Sequence, residues 1–80
     1  MNAKCNDVVE KMIENGWEML KDGIVDIKEH GDEFVVCMYD EDALEYIVEF
    51  IIFDGEKYNF KYVAEFFNDE EDALEYFAAI

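Results

Sequence analysis

The 80-residue chain contains no arginine, serine, threonine, proline or glutamine. Without serine and threonine it has neither the hydroxyl nucleophiles that many enzymes use nor a Ser/Thr phosphorylation site. Without arginine it lacks the planar guanidinium group that holds phosphate and carboxylate substrates through paired hydrogen bonds. Most enzyme active sites need one of these side chains, so we expect a protein that is not an enzyme.

Cysteine is also scarce, because Cys5 and Cys37 are the only two. Their number and spacing fit neither a disulfide framework nor a CxxC metal motif, and we expect buried, reduced thiols. No apolar run approaches the ~18 residues that a membrane span needs, and no basic segment precedes an apolar one at the N-terminus. The single histidine, His30, stands beside Gly31 in a turn pattern, so no catalytic residue is predicted. We expect a cytoplasmic protein without membrane contact or cofactor.

Positively charged residues are also scarce. Six lysines stand against 22 acidic residues, which gives a formal net charge of −16. Hydrophobic residues still make up 52% of the chain and aromatic residues 16%, enough for one small core, so we expect a single acidic domain over residues 1–80. Residues 40–80 hold thirteen acidic and two basic side chains, and the C-terminal half is predicted to carry most of the negative field. Such a field repels nucleic acid and attracts basic proteins.

An amphipathic segment opens the chain. Apolar side chains recur at spacings of three and four through residues 9–20, with glutamates on the opposite face. This period predicts a helix that begins at Lys4. Gly16 interrupts the pattern, so one alternative is an end at Asn15-Gly16; the other is continuation to Lys21 with a stop at Asp22-Gly23. We favour an end between Gly16 and Lys21.

Four β-rich runs follow, over residues 25–28, 34–39 and 44–53 and from residue 58 onward. The short turns between them favour antiparallel pairing in sequence order. Asn68, with Glu71 three residues later, has the pattern of a helix N-terminus. The prediction is an α+β fold in two layers, with an N-terminal helix, a four-stranded antiparallel meander and a C-terminal helix. Residues 41–46 repeat the sequence of residues 71–76, so the segment 41–49 fits either a strand or a helix.

The hairpin around Asp54-Gly55 carries a prediction of register. Residues 46, 48, 50 and 52 are all apolar, as are residues 58, 60, 62 and 64, whereas Glu49 and Lys61 belong to the opposite sets. A three-residue loop, with Gly55 in or near the left-handed conformation, pairs the two apolar sets. The other face then carries Ile47, Ile51, Phe53 and Val63. We expect that face to be a contact surface unless a helix or a second copy of the chain, in a homodimer, covers it.

Two acidic stretches supply the candidate functional residues. They comprise Asp40, Glu41, Asp42, Glu45, Glu49, Asp69, Glu70, Glu71, Asp72 and Glu75. Carboxylates favour the first turn of a helix, yet like charges at helical spacing cost ~0.2–0.5 kcal/mol per pair. Stability alone therefore does not explain so dense an array. Side chains three and four apart on a helix have Cβ atoms ~5–6 Å apart, close enough to imitate the row of charges along a nucleic-acid backbone.

Calcium binding is the rival use of clustered carboxylates. An EF-hand loop alternates acidic residues and then needs a glycine. Apolar Leu44 stands where a third ligand belongs in the first stretch, and the second stretch lacks the glycine. No metal site is predicted.

In its size, its charge, its predicted layout and acidic stretches such as 39–42 and 68–72, the chain resembles the small acidic DNA-mimic inhibitors of phages and mobile elements. These include anti-CRISPR and anti-restriction proteins. The resemblance implies a stoichiometric inhibitor, in the cytoplasm of a bacterial host cell, that occupies the nucleic-acid site of a defence nuclease. The site where Cas9 reads its protospacer-adjacent motif, which is lined by basic residues, is one candidate target. The partner would be a basic nucleic-acid-binding protein, and the chain itself would not contact nucleic acid. One alternative is an immunity protein that neutralises a basic nuclease toxin, and another is an acidic regulatory or structural domain.

Overall fold

The computed structural model describes residues 3–80, apart from the side chains of Tyr62 and Val63. The elements are α1 (Ala3–Glu14), α2 (Leu20–Gly23), β1 (Ile24–His30), β2 (Glu33–Asp40), β3 (Glu45–Phe53), β4 (Tyr58–Phe67) and α3 (Glu70–Ala79). The four strands form one antiparallel sheet in the order β1-β2-β3-β4. The predicted α+β class and the helix, meander and helix order are confirmed. Residues 41–44 form a turn and β3 follows directly, which resolves the segment 41–49.

The two longer helices pack on opposite faces of the sheet, which gives three layers where two were predicted. The core on the α1 side includes Val8, Met12, Leu20, Ile27, Val36, Met38, Ile47 and Ile51. The core on the α3 side consists of Val35, Cys37, Val48, Ala73 and Phe77. The reason lies in β2, because residues 34–38 are apolar without interruption and all of them are buried. Such a strand needs cover on both faces, and the sheet is the middle of three layers.

The first helix stops earlier than predicted. α1 ends at Glu14, and Gly16 adopts a φ of +106° in the region that favours glycine. A separate single turn, α2, then begins at Leu20. The expected end between Gly16 and Lys21 was wrong, because Gly16 breaks the helix.

The β3–β4 loop has four residues, since Phe53 pairs with Tyr58. Asp54 Oδ1 accepts hydrogen bonds from the backbone N–H groups of Glu56 and Lys57, both at 2.9 Å, which fixes this length. The positive φ of Gly55, +96°, is confirmed, but the three-residue loop was wrong. Alternation of apolar and polar residues selects a register only where one face of the sheet is open to solvent, and here both faces are covered.

The longer loop reverses which side chains share a face. Phe60 pairs with Ile51, and Ala64 pairs with Glu49. Ile47 and Ile51 lie buried in the core beneath α1, so the face that we expected to be an open contact surface is covered by the first helix. The prediction for Val63 lies outside the described side chains.

The two cysteines lie in different cores. Cys5 belongs to the α1 side and Cys37 to the α3 side, and both are fully buried, as expected. Burial raises the pKa of each thiol, which lowers the fraction of reactive thiolate.

Candidate functional site

The two acidic stretches meet at one end of the sheet. Antiparallel pairing places Asp40 opposite Glu45 across the β2–β3 turn. The next residue, Tyr46, pairs with Phe67 at the end of β4, and α3 begins three residues after Phe67. Stretches that lie thirty residues apart in the sequence are therefore brought together by the meander.

Two further carboxylates that were not predicted from the sequence, Glu18 and Asp22, join this end. Together with Asp40, Glu41 and Asp42 they line an open cleft of about 190 Å³. They reach it because α1 stops at Glu14 and the chain then returns through α2 to the start of β1. The helix-breaking Gly16 is the sequence signal that could have placed them.

We call this surface the acidic end. Ten carboxylates from three separate segments make it up: Glu18, Asp22, Asp40, Glu41, Asp42, Glu45, Asp69, Glu70, Glu71 and Asp72. Glu75, also predicted, is exposed but lies further along α3. All of these side chains are exposed or half-buried, and solvent-facing carboxylates need no internal partner.

Glu49 does not belong to this surface, which corrects the prediction. Its side chain is only 6% exposed and lies on the α1 side of the sheet, as its neighbours Ile47 and Ile51 do. The pairing of β3 with β4 is irregular here, and Glu49 Oε1 accepts a hydrogen bond from the backbone N–H of Phe50 at 3.0 Å. Burial raises the pKa of this carboxyl, although that hydrogen bond and the charge of Lys61 oppose the shift.

Two of the ten carboxylates shape the backbone. Asp40 Oδ1 accepts from the N–H groups of Asp42 at 3.0 Å and Ala43 at 3.3 Å. Asp69 caps α3, because its Oδ1 accepts from the N–H of Glu71 at 3.0 Å. Such turns and caps are the usual roles of aspartate, and the cap is one residue later than the predicted Asn68.

Leu44 closes the β2–β3 turn with a φ of +57° and a side chain that is 69% exposed. For a bulky residue this left-handed conformation costs about 1–2 kcal/mol, and glycine, asparagine or aspartate fits it better. Met19, which lines the acidic cleft, is 37% exposed. The acidic end therefore also presents apolar side chains.

Three of the six lysines neutralise carboxylates in other parts of the molecule, whereas Lys21 lies beside Asp22 in α2. Three ion pairs are formed, Lys4–Glu29 at 3.1 Å, Lys11–Asp7 at 3.0 Å and Lys61–Glu33 at 2.8 Å. Lys28 Nζ donates to the carbonyls of Phe77 and Ile80 at the end of α3. Across residues 3–80 as described, no carboxylate of the acidic end takes part in an ion pair.

The pKa of Tyr46 is affected by the negative potential of this end. Burial raises the pKa of its phenol, and the nearby carboxylates of Glu70 and Asp69 raise it further. Because removal of the phenol proton would add another negative charge, these neighbours oppose it. The same carboxylates would favour a cation placed beside them.

No protein-family model, curated protein or solved structure matches this chain. Among the residues that the structure describes, no group of three or more His, Cys, Asp and Glu side chains is arranged to hold a metal ion. None of the described helices is long and apolar enough to cross a membrane. What the site offers is a dense array of exposed carboxylates with a few apolar side chains among them.

Proposed function

We propose that this protein is a stoichiometric inhibitor that mimics nucleic acid and blocks the nucleic-acid site of a bacterial defence nuclease, with Cas9 as the candidate target. One observation carries the proposal. Ten carboxylates from three segments converge on one end of the sheet, and within the described part of the chain none of them has an ion-pair partner there.

The placement of the lysines supports this function. Unpaired like charges strain a small domain by mutual repulsion, and lysines do pair with carboxylates at Asp7, Glu29 and Glu33. A basic partner supplies the missing counter-charge, since nucleic-acid sites are lined by lysine and arginine. A concentrated negative field also speeds the encounter with such a partner.

Within the acidic end the carboxylates divide into two groups, one on each side of the sheet. Asp40 lies on the α1 side of the sheet by alternation with Met38, whereas α3 packs on the other side. The β2–β3 turn and the first turn of α3 therefore present two sets of charges with the sheet between them. A duplex likewise presents two charged backbones separated by a groove.

The test is a pair of charge-reversed variants measured against guide-loaded Cas9. The first variant combines E41K, D42K, E70K and E71K, which spares the backbone contacts of Asp40 and Asp69. The matched control combines E10K, E14K, D32K and E56K, four exposed carboxylates away from the acidic end. Both change the net charge equally. We expect the first variant to lose affinity on the order of 100-fold and the control to lose only a few-fold, while circular dichroism shows both folded.

A salt titration completes this test. The affinity of the wild-type protein should fall steeply between about 0.1 M and about 1 M NaCl, as the screening length shortens from ~10 Å to ~3 Å. An affinity that does not respond to salt, or equal losses in the two variants, would contradict mimicry by this end. Tight binding to a basic nuclease toxin and none to Cas9 would support the immunity-protein alternative instead.

A further inference from the structure

We propose that Leu44 takes the place of a nucleic-acid base in the partner's site, so that this site contains an apolar or aromatic recess between its lysines and arginines. This inference rests on the proposed function and specifies the class of site that is blocked. It concerns a site that binds bases, as opposed to one that only follows the phosphate backbone.

The backbone of Leu44 is the first observation. In the described part of the chain it is the only residue other than glycine with a positive φ, at +57°. The other three such positions, Gly16, Gly31 and Gly55, carry the residue that this conformation favours. Hydrogen bonds from the Asp40 side chain hold the turn just before Leu44, so the strain is built into an ordered turn.

The exposure of Leu44 is the second observation. At 69% it is the most exposed of the large apolar side chains described, ahead of Phe66 and Phe53. A single exposed leucine is ordinary on a protein surface. A leucine that is both exposed and strained is different, because a glycine or asparagine here would remove both costs. With this exposure the side chain gains little packing energy in the free protein, and a partner that buries it would offset the cost.

The charges beside Leu44 indicate what that partner offers. Asp42 and Glu45 lie on either side of it in the sequence, as phosphates lie on either side of a base in a nucleic-acid strand. Met19, in the neighbouring acidic cleft, is a second partly exposed apolar side chain at the acidic end. Proteins that bind unpaired nucleic acid combine cations along the backbone with aromatic side chains on which the bases stack. An apolar side chain between two carboxylates complements such a site.

The test measures association and dissociation rates on guide-loaded Cas9 for L44G, L44N and L44M. We expect L44G and L44N to dissociate about tenfold faster, with the association rate and its salt dependence unchanged. L44M keeps an apolar side chain of similar volume and should stay within about threefold of the wild type. The matched control is F53A, which removes an exposed aromatic side chain from the far end of β3 and should change neither rate.

The outcomes separate this inference from the proposed function. Wild-type binding with unchanged dissociation of L44G and L44N would overturn the role of Leu44 and leave mimicry standing. Failure of the wild-type protein to bind guide-loaded Cas9 would overturn the proposal for that target, and the base-mimic inference with it. A lower thermal midpoint for L44G than for the wild type would contradict the strain on which the inference depends.

Discussion

The acidic end and the opposite end of the sheet use the same turn chemistry but treat charge differently. We call the opposite end, made by the β1–β2 turn and the β3–β4 loop, the mixed end. Its charged side chains include Glu33, Asp54, Glu56, Lys57 and Lys61. There Lys61 Nζ lies 2.8 Å from Glu33 and 5.1 Å from the centre of the Phe50 ring. At the acidic end, the described residues include no such ion pair.

The turns themselves do not require this difference. Asp40 at the acidic end and Asp54 at the mixed end each accept two backbone N–H groups in the same way. Each turn is thus built by one aspartate. At the acidic end Asp69 also caps α3, and the other eight carboxylates have no such role in the backbone hydrogen bonds described above. The charge excess belongs to a location in the fold, and composition alone does not convey that.

The largest effect on stability should come from Gly23, where the acidic end is tightly packed. A Cβ on Gly23 would lie 2.6 Å from the backbone oxygen of Tyr39, so we expect G23A to destabilise the fold by about 2 kcal/mol, or roughly 10 °C in thermal midpoint. At the mixed end, G31A meets no atom within 4 Å and should cost only about 1 kcal/mol, through its positive φ. Equal losses would show that the contact of α2 with β2 does not position the acidic end.

The next largest effect on stability is expected at Leu44 in the β2–β3 turn. A substitution at Gly55 in the β3–β4 loop should have an effect of the opposite sign. L44G should stabilise the free protein by about 1 kcal/mol, because glycine relieves the left-handed strain. G55A should destabilise it by a similar amount, since Gly55 has a φ of +96°. Chemical denaturation of both variants measures this, and a destabilised L44G would contradict the comparison.

Glu49 provides a pH-dependent contrast with the exposed carboxylates. Its folded-state pKa is raised by burial, so its contribution to stability is fully present below its unfolded-state pKa and is lost as the pH rises through the folded-state value. E49Q keeps an acceptor for the N–H of Phe50 without the charge. We expect it to be more stable than the wild type at about pH 7, by on the order of 1 kcal/mol, with the gain shrinking towards about pH 4.

Denaturation across that pH range provides the measurement for E49Q. The matched control is E56Q in the exposed β3–β4 loop, whose stability should follow the wild type at every pH. A gain for E49Q that does not depend on pH would show that charge burial is not its cause.

The smallest effects come from single exposed charges. E41Q at the acidic end should raise the midpoint slightly at low salt by relieving repulsion, whereas E33Q at the mixed end removes the partner of Lys61 and should lower it. Each change is expected to be about 0.5 kcal/mol or less. Thermal melts at about 0.01 M and about 1 M NaCl measure this, since both differences should shrink under screening. A change in midpoint of the same sign for E41Q and E33Q would contradict the conclusion that carboxylates are paired at the mixed end and unpaired at the acidic end.

Local patterns in the sequence predicted the strands, the last helix and the acidic stretches, because β-rich runs and clustered carboxylates are properties of neighbouring residues. The meander then brought the two stretches together, which follows from pairing in sequence order. Glu18 and Asp22 were missed because their position depends on whether Gly16 breaks α1 or is carried through it. Propensity alone decides that poorly, since a glycine costs a helix only ~1 kcal/mol.

Glu49 and the hairpin register were mispredicted for a related reason. Both predictions assumed that one face of the sheet is apolar and the other open to solvent. Helices cover both faces, so the choice of register fell to the loop, through the hydrogen bonds of Asp54. Which helix covers which face depends on contacts between distant segments, and no single segment encodes them.

The separation of the two cysteines gives each outer layer its own chemical reporter. Cys5 lies beneath α1 and Cys37 on the α3 side of the sheet, so the sheet stands between them and they cannot bridge within a folded molecule. A thiol reagent reaches Cys5 only when α1 lifts away, and Cys37 only when α3 does. The labelling rates of Cys5 and Cys37 would thus measure the opening of α1 and of α3 independently, in the native sequence and without an introduced probe.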